Sequence, residues 1–403
     1  MERIVEQYDA FPYPERDPEE ERRRLVTGSP SWLPEVEHCL FNGRRDWSRP
    51  FRVLVAGGGT GDGLIQLAAV LQHDGRSAEI TYLDLSSRAR AIAEARAAMR
   101  GLDGIRFVTG DLRSAPDLGR FDYIDCCGVL HHLDAPEEGL AALAAALDPQ
   151  GGIGLMVYAP YGRSGVYPVQ EALRMLLEGS TPQERLRLGR EVVAALPEGH
   201  PFRCNPRLVD HRQSDAGFYD LLLHSCDRAF RIDEVLALLD GAGLALASPA
   251  VPALYDPSRV LPAGVPVPDG SSELARMVLA ERLRGTLKTH VLYAAPAARA
   301  ASCRAKRSEM GLVPLLRGLD PGGLAREIGQ RGAVRFEAGG ADVTEPLPRE
   351  AAPLVALIDG RRRLSDIARA NGVDPLGFLQ LWGRVDRALA DWGVMHYCSP
   401  PSA

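Results

Sequence analysis

Glycines at fixed spacing are the residues of this 403-residue chain that most directly suggest chemistry. The stretch RVLVAGGGTGDGLIQLA, residues 52–68, joins an apolar run to a glycine turn and then to a helix-like pattern. Gly57, Gly59 and Gly61 give the spacing G-x-G-x-G. A glycine turn between a strand and a helix N-terminus lets a nucleotide-like ligand approach the backbone. The alternative is a turn that only requires positive φ angles.

The residues around this turn narrow the choice of ligand. A P-loop needs Gly-Lys-Ser/Thr, and this turn contains no lysine, which argues against a triphosphate. A dinucleotide-binding turn needs a small residue at its third position, where this chain has Asp62. A carboxylate there would face a pyrophosphate. The turn therefore favours a ligand without phosphate groups.

Two acids follow at the ends of later apolar runs. Asp84 ends ITYLDLS, where a carboxylate can accept hydrogen bonds from both hydroxyls of a ribose. It could instead cap the helix-like SSRARAIA. Ser86 and Ser87 can cap that helix equally well, so we favour ribose. Asp111 ends IRFVTGDL, either as a ligand contact or as a residue that only terminates the strand.

The elements that must position these residues follow an alternating pattern. Apolar runs are separated by helix-like stretches such as SSRARAIAEARAAMRG, which predicts a parallel sheet buried on both faces. The predicted strands lie at residues 52–57, 79–85, 105–111, 121–128 and 151–159.

Five segments resemble, in this order, the motifs of class I S-adenosylmethionine (SAM) dependent methyltransferases. They are the glycine turn, ITYLDLS, IRFVTGDL, FDYIDCCGVLHHLDAPEEGL and LDPQGGIGLMV. The resemblance covers about residues 50–296. It implies an α/β fold with a Rossmann-like, seven-stranded, mostly parallel sheet. It also implies SAM as cofactor, S-adenosylhomocysteine (SAH) as product, and the adenine amino group at Asp111 with Leu112 beside the ring. The expected cofactor-binding residues are Gly57, Gly58, Gly59, Gly61, Asp62, Asp84, Leu85, Asp111, Leu112 and Cys127.

One position departs from the family pattern. The family often carries an acid two residues before the first glycine, where this chain has Val55. The usual partner for the methionine end of SAM is therefore missing. We expect Asp62 or a residue of the N-terminal segment to take its place.

Four residues are candidates for catalysis. His131 and His132 follow the fourth strand, and Tyr158 and Tyr161 lie at the end of the fifth, where side chains project into the crevice of a parallel sheet. Methyl transfer needs alignment, and a base only where the acceptor must lose a proton. The alternative roles are shaping the pocket and forming an aromatic rim. No set of His, Cys, Asp or Glu has a spacing typical of a metal site.

A helical insertion at about residues 160–230 is expected to cover the crevice and contact the acceptor. It includes the helix-like VQEALRMLLEG. A helix from about residue 215 would place Tyr219 and Asp220 one turn before His224. A surface helix would explain the same residues without a function. The candidate acceptor contacts are His211, Asp215, Tyr219, Asp220, His224 and Arg228.

The chain is divided into three parts by this interpretation. Residues 1–50, with the aromatic YDAFPYP, are expected to form a lid, and 51–296 form the methyltransferase domain. Residues 310–403 form a small α+β domain, in which LIDGRRRLSDIA resembles the PqqD type of winged helix. This domain is expected to mediate homodimerisation, to hold a protein or peptide substrate, or to act as a structural cap.

Composition limits the partners. A net charge of −6, with 15 Lys and Arg against 12 Asp and Glu from residue 299 on, argues against nucleic acid. No run of about 18 apolar residues predicts a membrane span. The charged N-terminus is not typical of a secretory signal. Seven cysteines without a C-x-x-C pair fit reduced thiols, so a cytoplasmic location is expected.

The sequence thus predicts a SAM-dependent methyltransferase that acts on a small molecule. A protein or peptide methyltransferase that uses the C-terminal domain to hold its substrate is the alternative enzyme. Val55 gives some support to a non-catalytic SAM sensor or adaptor. Asp62 argues against an NAD(P)-dependent oxidoreductase, and the charge balance argues against a DNA-binding regulator.

Overall fold

The computed structural model describes residues 7, 9–262 and 264–399. Parts of the predicted lid (residues 1–6 and 8) and of the predicted C-terminal domain (residues 400–403) lie outside the described residues. The chain divides into two compact units. The first comprises residues 1–31, 47–244 and 284–291, and the second comprises 32–46, 245–283 and 292–403. The predicted domain boundaries stay predictions.

A seven-stranded sheet forms the centre of the fold, with strand order β3-β2-β1-β4-β5-β7-β6. Strands β1 to β5 pair in parallel, which brings their carboxyl ends to one edge of the sheet. The strands are β1 Phe51–Ala56, β2 Ala78–Asp84, β3 Arg106–Thr109, β4 Phe121–Cys127, β5 Leu147–Tyr158, β6 Leu244–Pro249 and β7 Thr289–Pro296.

The strands agree with the apolar runs of the sequence, with two differences. β3 ends at Thr109, so Asp111 lies two residues beyond it and caps a short 3-10 helix, Leu112–Leu118. β5 begins at Leu147, earlier than predicted, because Leu147 pairs with Phe121 across a register shift in β4. The Rossmann-like, mostly parallel α/β fold is confirmed.

Helices connect the strands, and several begin with side chains that cap free backbone N–H groups. Ser86, for example, accepts the N–H of Ala89 at 3.1 Å. The helices are α1 Leu33–Leu40, α2 Asp62–His73, α3 Ser87–Met99, α4 Pro136–Ala146, α5 Val166–Leu176, α6 Pro182–Ala194, α7 Pro201–Cys204, α8 Asp210–Gln213, α9 Asp215–Leu222, α10 Ile232–Gly241 and α11 Glu273–Arg284. Among the described residues, none of the helices is long and apolar enough to cross a membrane.

The helical insertion after β5 consists of α5 to α9 and has its own apolar core. Val166, Leu173 and Phe218 are buried in that core. α9 ends at Leu222, so His224 lies just beyond the helix rather than on its face. The cause is a local turn in which Nδ1 of His224 accepts the N–H of Cys226 at 3.1 Å.

The second unit contains the small C-terminal domain. Trp382 stacks on Phe378, and its indole N–H donates to the hydroxyl of Tyr397 at 2.9 Å, inside a continuous apolar core. The winged-helix assignment of this domain stays a prediction. The remaining elements are α12 Ala297–Ala300, β8 Val313–Leu316, α13 Pro321–Arg331, β9 Ala333–Ala338, β10 Ala341–Pro346, α14 Ala352–Val355, α15 Leu364–Ala370, α16 Pro375–Leu389 and β11 Met395–Cys398.

Within the first unit, a buried guanidinium holds the N-terminal segment (residues 9–31) against the sheet. Arg96 on α3 is 1% exposed and donates to Glu21 at 2.8 and 2.6 Å. It also donates to the carbonyl of Thr60 at 2.7 Å and to Asp62 at 2.8 Å. Arg100 donates to the other oxygen of Glu21. One side chain therefore links the N-terminal segment, the glycine turn and the start of α2.

Replacing this guanidinium tests how much it contributes to the stability of the fold. Arg96→Met should lower the free energy of unfolding by about 3–5 kcal/mol, because it leaves the carboxylate of Glu21 buried with one cation fewer. Arg90→Met on the same helix breaks a half-exposed i,i+4 pair with Glu94 and an exposed 3.3 Å bond to the hydroxyl of Thr109, and should cost about 1 kcal/mol or less. Urea unfolding of both variants measures the difference, and equal losses would contradict the assignment.

Candidate active site

A cavity of about 600 Å³ opens at the carboxyl ends of the strands, within the first unit. Its volume lies in the range of small-molecule and cofactor sites. The wall combines the glycine turn, the ends of β2 and β4, and part of the N-terminal segment, including Tyr13, Pro14 and Ser31. The predicted lid therefore contributes to the cavity through its described residues.

The glycine turn needs glycine for steric reasons. Gly57 has φ +68°, and a Cβ there would lie 2.3 Å from Cγ2 of Val129. Gly61 has φ +101° and stands at the N-cap of α2. Gly57, Gly58 and Gly59 line the cavity, whereas Gly61 shapes the turn behind it. The turn thus presents backbone rather than side chains to a ligand.

Asp84 lies at the end of β2 and lines the cavity. Its two carboxylate oxygens accept the N–H groups of Gly59 and Ser86, each at 2.8 Å. Burial raises the pKa of Asp84, and these backbone N–H groups oppose the rise. The helix cap of α3 is Ser86, so Asp84 is not needed for that role. Each carboxylate oxygen keeps a lone pair for a hydroxyl. Leu85 also lines the cavity.

Asp111 and Leu112 line the cavity as well. Asp111 accepts two bonds from the guanidinium of Arg113, at 3.0 and 2.9 Å, and one from its backbone N–H at 2.8 Å. These hydrogen bonds lower the pKa of Asp111. The structure thus gives Asp111 a capping role beside its place in the cavity wall. Arg113 was not among the predicted residues.

Asp62 lines the cavity, but both of its oxygens are occupied by cations. Arg16 donates to them at 2.8 and 2.6 Å, and Arg96 donates at 2.8 Å. Burial acts to raise the pKa of Asp62, but the two guanidinium groups have the larger combined effect. The pKa of Asp62 is therefore lowered. A carboxylate neutralised in this way is poorly suited to replace the acid missing at Val55.

Asp125, which the sequence analysis did not single out, lies on β4 and lines the same cavity. It is 1% exposed, and its Oδ2 accepts the hydroxyl of Ser31 at 2.5 Å. Burial raises the pKa of Asp125 to about 6, and the Ser31 bond opposes the rise. An acid flanked by the apolar Ile124 and Cys126 in the strand FDYIDCC was the available signal. Cys127, at the end of β4, lines the cavity, and burial raises the pKa of its thiol.

On the far side of the cavity, His132, Tyr158 and Asp220 come together. Nδ1 of His132 lies 2.9 Å from the carbonyl of Cys226, which can only accept, so Nδ1 donates its proton there and, in the neutral ring, Nε2 is the acceptor nitrogen. Nε2 lies 3.9 Å from Oδ1 of Asp220, and Tyr158 donates its hydroxyl to Oδ2 at 3.0 Å. Burial raises the pKa of both Asp220 and Tyr158. Two hydrogen-bond acceptors thus face each other across a gap that a donor can bridge.

The other two catalytic candidates are not part of the cavity wall as far as the described residues show. His131 is 1% exposed, and neither ring nitrogen has a hydrogen-bond partner among the residues that the structure describes. Its ring packs on Tyr158 with centroids 3.8 Å apart, and burial lowers its pKa well below the usual value. Tyr161 lies in the short 3-10 helix Tyr161–Arg163.

Most of the insertion residues predicted to contact the acceptor have structural partners elsewhere. Asp215 pairs with Arg190 at 2.6 Å, and Tyr219 stacks on Phe11 with centroids 4.8 Å apart. Arg228 pairs with Glu234, and His211 packs against Phe202. Of the six residues, Asp220 lines the cavity.

The fold also brings together three side chains of the kinds that bind metal ions, which their spacing in the sequence did not indicate. Donor atoms of His132, Asp220 and His224, all buried, lie within 4.8 Å of one another. However, Nδ1 of His224 already accepts a backbone N–H, and the two imidazole rings stack with centroids 3.8 Å apart. Stacked rings do not direct their nitrogen lone pairs toward one point. The geometry therefore suits proton handling better than metal binding.

Comparisons with known proteins agree with this architecture. Residues 54–153, which include the glycine turn and β4, match the family model described as a methyltransferase domain. The chain is 34% identical over 249 residues to the uncharacterized protein syc1184_c of Synechococcus sp., an alignment that covers 59% of this chain. It covers 57% of that relative, so the chain matches little more than half of its length.

Two solved structures share the fold. PKMT2 from Rickettsia typhi has a TM-score of 0.63 at 14% identity, covering 93% of this chain and 76% of that one. PKMT2 in complex with AdoHcy has a TM-score of 0.57 at 13% identity, covering 93% and 77%. The matches support a Rossmann-like methyltransferase fold for this chain.

The raised pKa of Asp125 predicts a cost to stability in the ligand-free protein. Because the folded pKa lies above the usual value near 4, the free energy of unfolding should fall as pH rises from about 4 to about 6. Asp125→Asn should therefore stabilise the protein at pH 8 by about 2–3 kcal/mol, and the gain should vanish at pH 4. Urea unfolding at both pH values measures it, with the exposed Asp117→Asn as control. A loss of stability at pH 8 would contradict this prediction.

Proposed function

We propose that this chain is a SAM-dependent methyltransferase. The observation that carries the proposal is the single cavity that holds the glycine turn, Asp84 at the end of β2 and the His132–Asp220 gap on its far side. The match to a methyltransferase-domain model over residues 54–153 supports it. So does the shared fold with a protein whose structure was solved in complex with AdoHcy.

The residues present fit this cofactor. The cavity offers bare backbone at Gly57 to Gly59, a half-buried carboxylate at Asp84 and an apolar side chain at Leu112. Asp84 would accept the ribose hydroxyls, and Asp111 and Leu112 would hold the adenine. When bound, SAM supplies a methyl group on a sulfonium, an electrophile that carries its own leaving group. The burial of His132 and Asp220 limits the access of water to the reacting groups.

His132 is the general base of the proposed reaction. Because its Nδ1 proton is bound by the carbonyl of Cys226, the bare Nε2 accepts a proton from an acceptor O–H or N–H. Asp220 stabilises the imidazolium that results, at 3.9 Å from Nε2. Tyr158 fixes the carboxylate of Asp220 through its hydroxyl. His132, Asp220 and Tyr158 orient the acceptor, and a metal is not needed for this role.

We propose a small molecule as the acceptor. The proton-handling group is buried, with His132 and Asp220 only 6% and 5% exposed. A cavity of about 600 Å³ has room for a cofactor and a small acceptor at the buried end. The alternative acceptor, a polypeptide, would have to insert a side chain into the same space.

Label transfer tests the function and the acceptor class together. Purified protein is incubated with methyl-tritiated SAM and a host lysate separated into a small-molecule filtrate and a polypeptide fraction. We expect label in the filtrate, and none with Asp84→Ala, which should also lose SAH binding. Asp84→Asn, which keeps the size of the side chain, provides a second variant if the alanine variant does not fold.

The other outcomes contradict parts of the proposal. Label on a polypeptide would replace the small-molecule acceptor by a protein substrate. SAH binding without label in either fraction would favour a sensor or adaptor. A protein that binds neither SAM nor SAH would overturn the proposed function.

The acceptor-side residues give a kinetic prediction. His132→Gln should lower the initial rate of label transfer by about 10²-fold or more, because general-base catalysis is worth about 10²–10⁴-fold. SAH affinity should change less than threefold. Asp220→Asn should lower the rate less, since it removes only the charge that stabilises the imidazolium. The exposed His73→Gln is the control and should leave the rate unchanged. Full activity in His132→Gln would exclude the base.

A further inference from the structure

Strand β1 has Val55 where the family often has an acid, and the neighbouring strand β4 carries an acid beside that position. Val55 on β1 and Asp125 on β4 are register partners in the parallel sheet, and both line the cavity. Register partners of a parallel pair lie side by side on the same face of the sheet. The carboxylate of Asp125 therefore lies one strand away from the position at which the family often has its acid.

The environment of Asp125 leaves its charge uncompensated. Its partner is the neutral hydroxyl of Ser31. On the adjoining helix α2, Asp62 is held by Arg16 and Arg96. On its own strand, burial raises the pKa of the Cys126 and Cys127 thiols, so both stay protonated. Among the described residues, no cationic side chain pairs with Asp125, which suits a cation brought by a ligand.

A matching donor lies on α2. Gln66 is 2% exposed, its Oε1 accepts the N–H of Gly28 at 2.7 Å, and it lines the cavity. Its Nε2 is buried and has no hydrogen-bond partner within the described part of the chain. A buried N–H without a partner costs free energy, which a ligand acceptor would recover.

The donor and the acid face the same region. Gly63 and Gln66 are three residues apart and share a face of α2. A Cβ at Gly63 would lie 3.1 Å from Oδ2 of Asp125 and 2.7 Å from Oγ of Ser31. The face of α2 that carries Gln66 therefore points toward Asp125. A carboxylate and an unpartnered amide N–H together complement a zwitterion.

We infer that Asp125 and Gln66 form the subsite for the zwitterionic amino-acid end of the cofactor. Asp125 binds the ammonium group, and Nε2 of Gln66 donates to the carboxylate. Ser31 orients Asp125 and is a positioning residue. The inference rests on the proposed function, because it names the residues that bind one end of the proposed cofactor.

Two probes separate this subsite from the rest of the cavity. SAH carries the amino-acid end, and 5′-methylthioadenosine has the same adenosine and thioether without it. By calorimetry, Asp125→Asn should weaken SAH binding about 10- to 100-fold, the worth of a charge-assisted hydrogen bond. Binding of 5′-methylthioadenosine should stay within twofold. Gln66→Glu, which sets a carboxylate against the ligand carboxylate, should give the same pattern. Asp122→Asn, on the same strand but paired with Arg52, should change neither affinity.

The pH dependence provides an independent readout. In the ligand-free protein the pKa of Asp125 is about 6. Its carboxyl group must lose its proton before it can bind an ammonium group. Affinity for SAH should therefore be about tenfold weaker at pH 5 than at pH 7 in the unmodified protein. The dependence should be lost in Asp125→Asn and absent for 5′-methylthioadenosine.

The outcomes distinguish the inference from the function on which it rests. If the unmodified protein binds neither probe, the proposed function fails, and the inference fails with it. If it binds both and Asp125→Asn leaves SAH affinity unchanged, only the inference is overturned. An equal loss for both probes would also overturn it, since that would indicate a general change of the cavity. Thermal unfolding of each variant confirms that the folded protein is being compared.

Discussion

The buried guanidinium of Arg96 is the interaction on which the cavity depends. It satisfies a carboxylate from the N-terminal segment, a carbonyl of the glycine turn and the first residue of α2. Arginine suits this position because its planar fork can donate in several fixed directions and stays charged when buried. Two walls of the cavity are thus held by one side chain that does not itself line it. The glycine turn can be free of side chains because its position is fixed from behind.

The cavity has two ends with different electrostatics. At the glycine-turn end, Asp62 is neutralised by two arginines, while the half-buried Asp84 and the buried Asp125 have no paired cation among the described residues. At the other end, Asp220 lies 3.9 Å from Nε2 of His132. Buried carboxylates without counter-ions are costly for a protein to maintain. Their concentration around one cavity is therefore better explained by ligand binding than by folding.

The fold and one wall of the site could be predicted because they depend on local patterns. Apolar runs between helices indicate the parallel sheet, and glycine spacing indicates the turn that ends β1. The remaining site residues depend on contacts between distant segments. Arg96 and Glu21 are 75 residues apart, Ser31 and Asp125 are 94 apart, and Tyr158 and Asp220 are 62 apart. The composition of each segment cannot show these pairings. A polar residue inside an apolar strand, such as Asp125, is the kind of local signal that remains available.

The attachment of the N-terminal segment also bears on the order in which the protein is assembled. Tyr123 donates to the carbonyl of Pro30, and Ser31 donates to Asp125, so the end of this segment is held by β4. During synthesis from the N-terminus, residues 9–31 leave the ribosome well before β4 exists. Contacts of such long sequence separation form late, because a large loop must close first. The central strands can pair before this segment docks, and the ligand cavity is then among the last parts of the first unit to be completed.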